Sequence, residues 1–312
     1  MKVLVTGGAG YVGCILVEEL LAAGHAVRVF DNLRKGPAGL LHLLADPRLE
    51  LVRGDVRDGA AVRCAMADAD AAIHLAAVVG YPACERDPWQ AREVNVDGTV
   101  NVIGGRSDSQ PIIFPSSLSN YGAVPGGVCT EEMEPRPITL YGSNKLEAER
   151  RLLDAGNAVV LRPATAFGLS PQMRLDLLFN DFVYRALKER QLTVYQSQFM
   201  RAFIHVRDFA RALVFALDNF GTMRDQVYNL GDESLNLTKG ELAERVADHT
   251  GCRLALSEAG EDPDKRDYLV DFSKLRATGF RCRIDIDEGI EELARGLPAI
   301  DVPSPYSNTS HY

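Results

Sequence analysis

Near the amino terminus, the run VTGGAGYVG (Val5 to Gly13) joins the apolar stretch KVLVT to the helical pattern CILVEELLAAG, which closes on Gly24. A β-branched run, a glycine-rich turn and an amphipathic helix in that order restrict the fold severely. Gly7, Gly10 and Gly13 permit a tight turn and a close approach of the backbone to a pyrophosphate on the helix N-terminus. A glycine-rich turn can also be purely structural. The strand–turn–helix context favours the dinucleotide reading.

The same alternation continues. AVRVFDN, LELVRGDV and AAIHLAA read as the second to fourth strands, and PIIFPSS and AVVLRPATAFG as later ones. Helices are expected around 90–105 and 140–155. Strands alternating with helices imply an α/β fold, a Rossmann-type doubly wound parallel sheet with helices on both faces. Beyond Gly168 the pattern loosens. Helical stretches near 175–190, 207–219 and 239–250 are separated by LTVY, QVYNLG and RLALS, which fits a smaller mixed α/β lobe. The expected division is 1–168 for the dinucleotide-binding domain and 169–300 for most of the smaller lobe, with some segments returning to the first domain. The polar tail 301–312 is expected to be loose. A length of 312 residues suits one large domain with a smaller partner.

Apolar residues make up 46% of the chain, enough for a sizeable core, and the net charge is −9. That charge argues against nucleic acid or an anionic membrane as partner. The six cysteines are scattered, with no C-x-x-C pair and no metal-ligand spacing. Reduced thiols, a cytoplasmic location and no bound metal are therefore expected. The first apolar run is short and broken by glycines, so no secretory leader is expected.

Asp31 ends the second strand. A carboxylate there can accept both adenosine ribose hydroxyls and repels a 2′-phosphate, which favours NAD over NADP, although Arg34 and Lys35 lie close by. Asp55 and Val56, after the third strand, either border the adenine or simply end a strand. In TLYGSNKLEAER, Tyr141 and Lys145 share one helix face, one turn apart. An ammonium beside a phenol favours the phenolate, so Lys145 is expected to lower the Tyr141 pKa and fit it for proton transfer. Y-x-x-x-K is also a common solvated pair. PSSLSNYG, Pro115 to Gly122, carries hydroxyls but no acid or histidine.

Together TGGAGYVG, DNL, GDVRD, HLAA, EVNVDGT, SSLSNYG, YGSNK, LRPATAFG and RAFIHVRD make the chain resemble an extended short-chain dehydrogenase/reductase. The resemblance is to the NAD-dependent nucleotide-sugar epimerase/dehydratase family, including UDP-galactose 4-epimerases, and covers the chain to about residue 297. It implies Tyr141 as acid/base, Lys145 as its tuner and Ser117 as the hydroxyl bridging substrate and Tyr141, with Ser116 and Ser119 structural and Tyr121 a wall of the pocket. It implies NAD contacts from Gly7, Gly10, Tyr11, Val12, Gly13, Asp31, Asn32, Asp55, Val56, Leu75, Ala76, Ala77, Asn95, Tyr141, Lys145 and Pro163. Asn95 is also expected to tie strands together near the site. Contacts to a nucleotide-diphosphate sugar are implied for Val79, Gly80, Tyr81, Ser117, Asn180 and Arg201, and more weakly for Arg266. His74 and His205 read as core or hinge residues. A homodimer paired through a four-helix bundle of the 90–105 and 140–155 helices is implied as well.

Dehydratases of this family carry Asp-Glu directly after the Ser/Thr. Here those positions are Leu118 and Ser119, so 4,6-dehydration lacks its acid and base. The decarboxylases' acidic and arginine groups are not found near this loop. The implied activity is C4 epimerisation through a transient 4-keto sugar on tightly bound NAD. A 4-keto-sugar reductase with the same triad is the alternative, and a non-catalytic dinucleotide-binding protein a third reading. UDP-galactose 4-epimerases usually carry a lysine where this chain has Val79. Cys84, in the same loop, reads either as packing or as a proton-exchanging group.

Overall fold

The computed structural model describes residues 1–257 and 266–300. In chain order the first part is β1 (Lys2–Thr6), α1 (Tyr11–Ala22), β2 (Ala26–Asp31), β3 (Leu49–Arg53), α2 (Gly59–Met66), β4 (Ala71–His74), α3 (Tyr81–Arg86), α4 (Pro88–Arg92), α5 (Gly98–Gly105), β5 (Ile112–Pro115), β6 (Val128–Cys129), α6 (Leu140–Ala155) and β7 (Ala158–Pro163). Then follow β8 (Thr165–Phe167), α7 (Leu178–Glu189), β9 (Gln191–Tyr195), β10 (Met200–His205), α8 (Val206–Asp218), α9 (Phe220–Met223), β11 (Gln226–Leu230), β12 (Asn236–Thr238), α10 (Lys239–Thr250), β13 (Arg253–Ser257), β14 (Leu269–Val270), α11 (Ser273–Ala277) and α12 (Ile286–Gly296).

Seven strands form one sheet in the order β11-β7-β5-β4-β1-β2-β3. Every neighbouring pair is parallel. Helices cover both faces, so the inner strands are buried on each side and read as nearly continuous apolar runs. Val3, Leu4 and Val5 of β1 are fully buried, as are Ala71, Ala72 and Ile73 of β4. This is the Rossmann-type doubly wound sheet that the alternation predicts. QVYNLG becomes β11 and rejoins this large sheet at its edge.

AVVLRPATAFG, read as one strand, is two. β7 belongs to the large sheet, whereas β8 pairs with β10 in a three-stranded sheet completed by β12. The break falls at Ala164, whose N–H donates to the Leu230 carbonyl at 2.8 Å. β8 feeds a second apolar cluster in which Phe167 stacks on Phe179 at 4.0 Å and Phe203 meets both edge-on. The helix expected around 90–105 is also divided. Between α4 and α5 lies a π-helical turn, Glu93–Asp97. Residues 301–312, expected to be loose, lie outside the described residues.

All six cysteines are unpaired thiols. Among the described residues no helix is long and apolar enough to cross a membrane, and no three His, Cys, Asp or Glu side chains group to hold a metal.

His74 ties the centre of the sheet together. Its ring is hydrogen-bonded to Thr6 Oγ1 of β1 at 2.6 Å and Thr99 Oγ1 of α5 at 3.0 Å. Burial, and then the Lys145 charge, push its pKa down to about 3. An unfolded histidine titrates near 6.5, so the unfolded chain binds an extra proton between those values. His74 should therefore cost the fold about 1.4 kcal/mol for each unit the pH falls through that window. Denaturant titrations from pH 7 to 4 should show a shallower loss of stability for His74→Gln than for the wild type. Parallel slopes would remove His74 as a source of acid sensitivity.

Candidate functional site

A cavity of about 530 Å³ opens along the carboxyl ends of β1, β2, β3, β4, β5 and β7. It straddles the point where strand order reverses between β1 and β4, the position at which open α/β sheets hold ligands. The turn after β1 supplies one wall. Gly7 has φ +71°, and a Cβ there would stand 2.6 Å from the Ala76 backbone nitrogen. A Cβ on Gly13 would stand 2.5 Å from the Gly7 carbonyl oxygen. Both are backbone collisions, so neither position tolerates a side chain. The first helical turn of α1 thus opens directly on the cavity, with its N–H groups suited to an anion.

Gly7, Gly10, Tyr11, Val12, Gly13, Asp31, Asn32, Asp55, Val56, Leu75, Ala76, Ala77 and Pro163 all line this cavity. Asp31 accepts hydrogen bonds from the N–H groups of Ala9 at 3.0 Å and Leu33 at 2.8 Å. Burial nevertheless holds its carboxyl above the usual range. Arg34 and Lys35 line the same end, and burial with the Arg174 charge lowers Lys35 to about 8. The Asp55 carboxylate is clasped by Arg57 at 2.8 Å.

The other end is chemical in character. Tyr141 and Lys145 project from the first turns of α6, whose N-cap Thr139 accepts the Gly142 N–H at 3.1 Å. Ser117, at the carboxyl end of β5, lines the same end as Tyr141, and its hydroxyl acts to lower the Tyr141 pKa. The Ser117 oxygen also accepts from the Ser119 hydroxyl at 2.7 Å. The Lys145 ammonium sits over the Phe114 ring, 3.9 Å from its centre. Ser116, Ser117, Ser119, Tyr141, Lys145, Val79, Gly80, Tyr81 and Arg266 all line this end. Asp31 and Asp55 are the only carboxylates among the described lining residues, so the Ser117–Tyr141 end contains none.

The expected lowering of the Tyr141 pKa is corrected. Burial dominates and pushes the phenol up to about 12, with Cys84 adding to the rise. Arg174, Arg266 and the Ser117 hydroxyl act in the opposite direction. Burial also brings Lys145 down to about 7, offset first by the Glu149 charge. Desolvation opposes the charged form of each partner, and spacing along a helix does not reveal it.

Several expected contacts lie elsewhere. Asn180 is fully buried and outside the cavity wall. Its carbonyl accepts the Gly168 N–H at 3.0 Å, and its amide donates to the Tyr11 hydroxyl and the Arg174 carbonyl. The Tyr11 hydroxyl in turn donates to the Gly168 carbonyl at 2.7 Å. Arg201, also off the wall, donates to the backbone oxygens of Met200 and Arg266. Asn95 does not line the cavity either. From the π-helical turn it accepts the Val78 N–H at 2.7 Å and donates to the Val78 carbonyl at 2.9 Å, fastening the loop that does. Tyr121 is no pocket wall. It lies in the core, donating to Asn229 at 2.8 Å and accepting from Arg162 at 2.8 Å. Gln90, Phe209 and Tyr268 line the cavity without any local motif to announce them.

The profile of the NAD dependent epimerase/dehydratase family matches residues 3–231. The chain is 29% identical over 311 residues to UDP-glucuronic acid decarboxylase 1 of Arabidopsis thaliana, covering 94% of this chain and 69% of that protein. It is also 29% identical over 315 residues to a dTDP-glucose 4,6-dehydratase of an Actinoplanes species, with 94% and 96% covered. A crystal structure of Thermus thermophilus UDP-glucose 4-epimerase in complex with NAD superposes with a TM-score of 0.81 at 28% identity, over 96% of this chain and 99% of that one.

Removing the Tyr121 hydroxyl leaves the buried guanidinium of Arg162 and the amide of Asn229 each short of a partner. Tyr121→Phe should therefore cost roughly 1–3 kcal/mol of unfolding free energy. Wild-type stability by chemical denaturation would contradict this placement of Tyr121.

Proposed function

Because the chain belongs to the NAD dependent epimerase/dehydratase family, we propose that it is a nucleotide-sugar 4-epimerase, inverting C4 through a transient 4-keto sugar while retaining its cofactor. The glycine cradle after β1 and the Asp31 carboxylate fit a dinucleotide, and Asp31 fits an unphosphorylated adenosine ribose. NAD supplies a positively charged nicotinamide that accepts hydride and later returns it.

The observation that carries this reading is the absence of a carboxylate among the described residues lining the Ser117–Tyr141 end. Water elimination and its proton shifts need an acid and a base beside the sugar. The two positions after Ser117 are Leu118, packed into the main apolar core, and Ser119, hydrogen-bonded to Ser117. Single-carbon redox needs only one proton acceptor. Tyr141 takes the proton of the sugar 4-hydroxyl, and Ser117 bridges that oxygen to the phenol. The charges of Arg174 and Arg266 favour the phenolate that accepts the proton. After the keto sugar turns over, Tyr141 returns the proton to the same oxygen on the opposite face.

Val79, lining the cavity where a cofactor-retaining lysine is implied, favours a second reading: a keto-sugar reductase that releases its cofactor each turn. The two separate on stoichiometry. Purified enzyme incubated with UDP-, dTDP-, GDP- and ADP-sugars should interconvert one pair of C4 epimers without added reductant or net NADH. Consumption of one NADH per keto sugar reduced would replace the epimerase by the reductase. Tyr141→Phe should slow turnover roughly 10²–10⁴-fold with NAD binding intact. Near-normal turnover in that variant would remove Tyr141 from its role.

A further inference from the structure

Behind the Ser117–Tyr141 end lies a buried polar cluster of Glu149, Arg162 and Asn120, none of which lines the cavity. Glu149, on α6 one turn beyond Lys145, is 2% exposed. Its carboxylate accepts from Arg162 of β7 at 2.5 Å and 3.2 Å. It also accepts from the Asn120 amide at 3.0 Å, and the same Asn120 nitrogen donates to the Ser116 hydroxyl at 2.9 Å. One carboxylate therefore pairs with buried Arg162, lies one helical turn from buried Lys145, and is joined through Asn120 to the segment that carries Ser117.

Resting on the epimerase reading above, we propose that Glu149 is a positioning residue for the reaction: it supplies the buried negative charge that supports the Lys145 ammonium, and through Asn120 it holds the Ser116–Ser117 segment against α6. The other titratable or charged groups facing Lys145 do not supply that charge. Cys84 of α3 is a thiol held near 12 by burial. His74 of β4 is kept neutral, with its pKa near 3. Tyr141, one turn earlier on α6, is a phenol pushed up to about 12 by burial, so before turnover it adds no standing negative charge. Arg162 carries the same sign as Lys145. Glu149 is the first influence that opposes burial at Lys145. A glutamate matched only to Arg162 would be a structural ion pair. One whose charge also acts on Lys145 couples the pair to the site.

Two variants separate these roles. Glu149→Gln leaves Arg162 buried without its partner and can unfold the chain. The double variant Glu149→Met/Arg162→Met removes both charges together, a change that buried pairs tolerate far better. Lys145 lines the cavity, so its amine can be titrated by trace acetylation with acetic anhydride and mass spectrometry from pH 5 to 10. In the folded double variant the Lys145 midpoint should fall by about one pH unit, making the amine about fivefold more reactive at pH 6. The alkaline limb of the kcat profile should move the same way, since loss of the lysine proton ends activity. A purely structural pair predicts a double variant with wild-type labelling and a wild-type profile, and that result would overturn the proposal. Failure of the wild type to act on any nucleotide sugar would instead overturn the epimerase reading, because the labelling midpoint is read without turnover.

Discussion

Everything at the site depends on β1 being paired in parallel with β2 on one side and β4 on the other. The chain leaves β1 toward β2 and, much later, passes β4 toward β5, so the connections diverge from the same edge of the sheet. That divergence is what opens a crevice at the carboxyl ends. The crevice is then narrowed by contacts only glycine allows. Gly7 lies against the backbone of Ala76, so the loops after β1 and β4 touch at the base of the cavity. Asn95 holds the second loop from beneath, through both polar groups of the Val78 backbone.

Burial sets the electrostatics of the chemical end, and it works against the ionised form of both key side chains. The Tyr141 phenol is raised and the Lys145 amine lowered by the same loss of solvent. A phenolate–ammonium pair needs help from fixed charges. Arg174 and Arg266 act on the phenol, and Glu149 acts on the amine. Glu149 is itself a buried charge, held by Arg162 and Asn120. Buried ion pairs contribute little net stability over apolar packing, so a pair retained directly behind reactive groups is better understood through what it does to them.

The large sheet could be read from the sequence because its strands are apolar on both faces and its turns carry glycine or aspartate where the backbone demands them. The residues lining the cavity follow from that frame, since strand-end loops after β1 to β5 can only gather at one edge. What escaped was decided by partners distant in the chain. Asn180 and Arg201 have the chemistry to bind phosphate, yet their polar groups are taken up by Gly168, Arg174, Met200 and Arg266. Tyr121 sits in a stretch rich in hydroxyls, and only Arg162 and Asn229, on two later strands, draw it into the core. The π-helical turn at Glu93–Asp97 leaves no mark in an apolar period, and desolvation of Tyr141 leaves none in the Tyr–Lys spacing.

The distribution of acids among the described lining residues bears on one of the reactions represented in this family, the elimination of water. Relatives of this chain include a decarboxylase, a dehydratase and an epimerase at similar identity, so overall likeness does not choose between them. All three reactions can pass through oxidation of a sugar hydroxyl, for which one tyrosine and one lysine suffice. They differ in what happens next to the ketone. Elimination needs two further groups with opposite proton tasks, and groups with those tasks are usually carboxylates whose surroundings separate their pKa values. Among the described residues both lining carboxylates are tied up at the dinucleotide end, Asp31 by backbone N–H groups and Asp55 by Arg57. On the epimerase reading proposed above, a 4-keto sugar at the Ser117–Tyr141 end would meet, among the described residues, hydroxyls and cations, which stabilise the oxygen but neither expel a neighbouring hydroxyl nor remove a neighbouring proton. The ketone would then be left by return of the hydride, with inversion when the ring presents its other face.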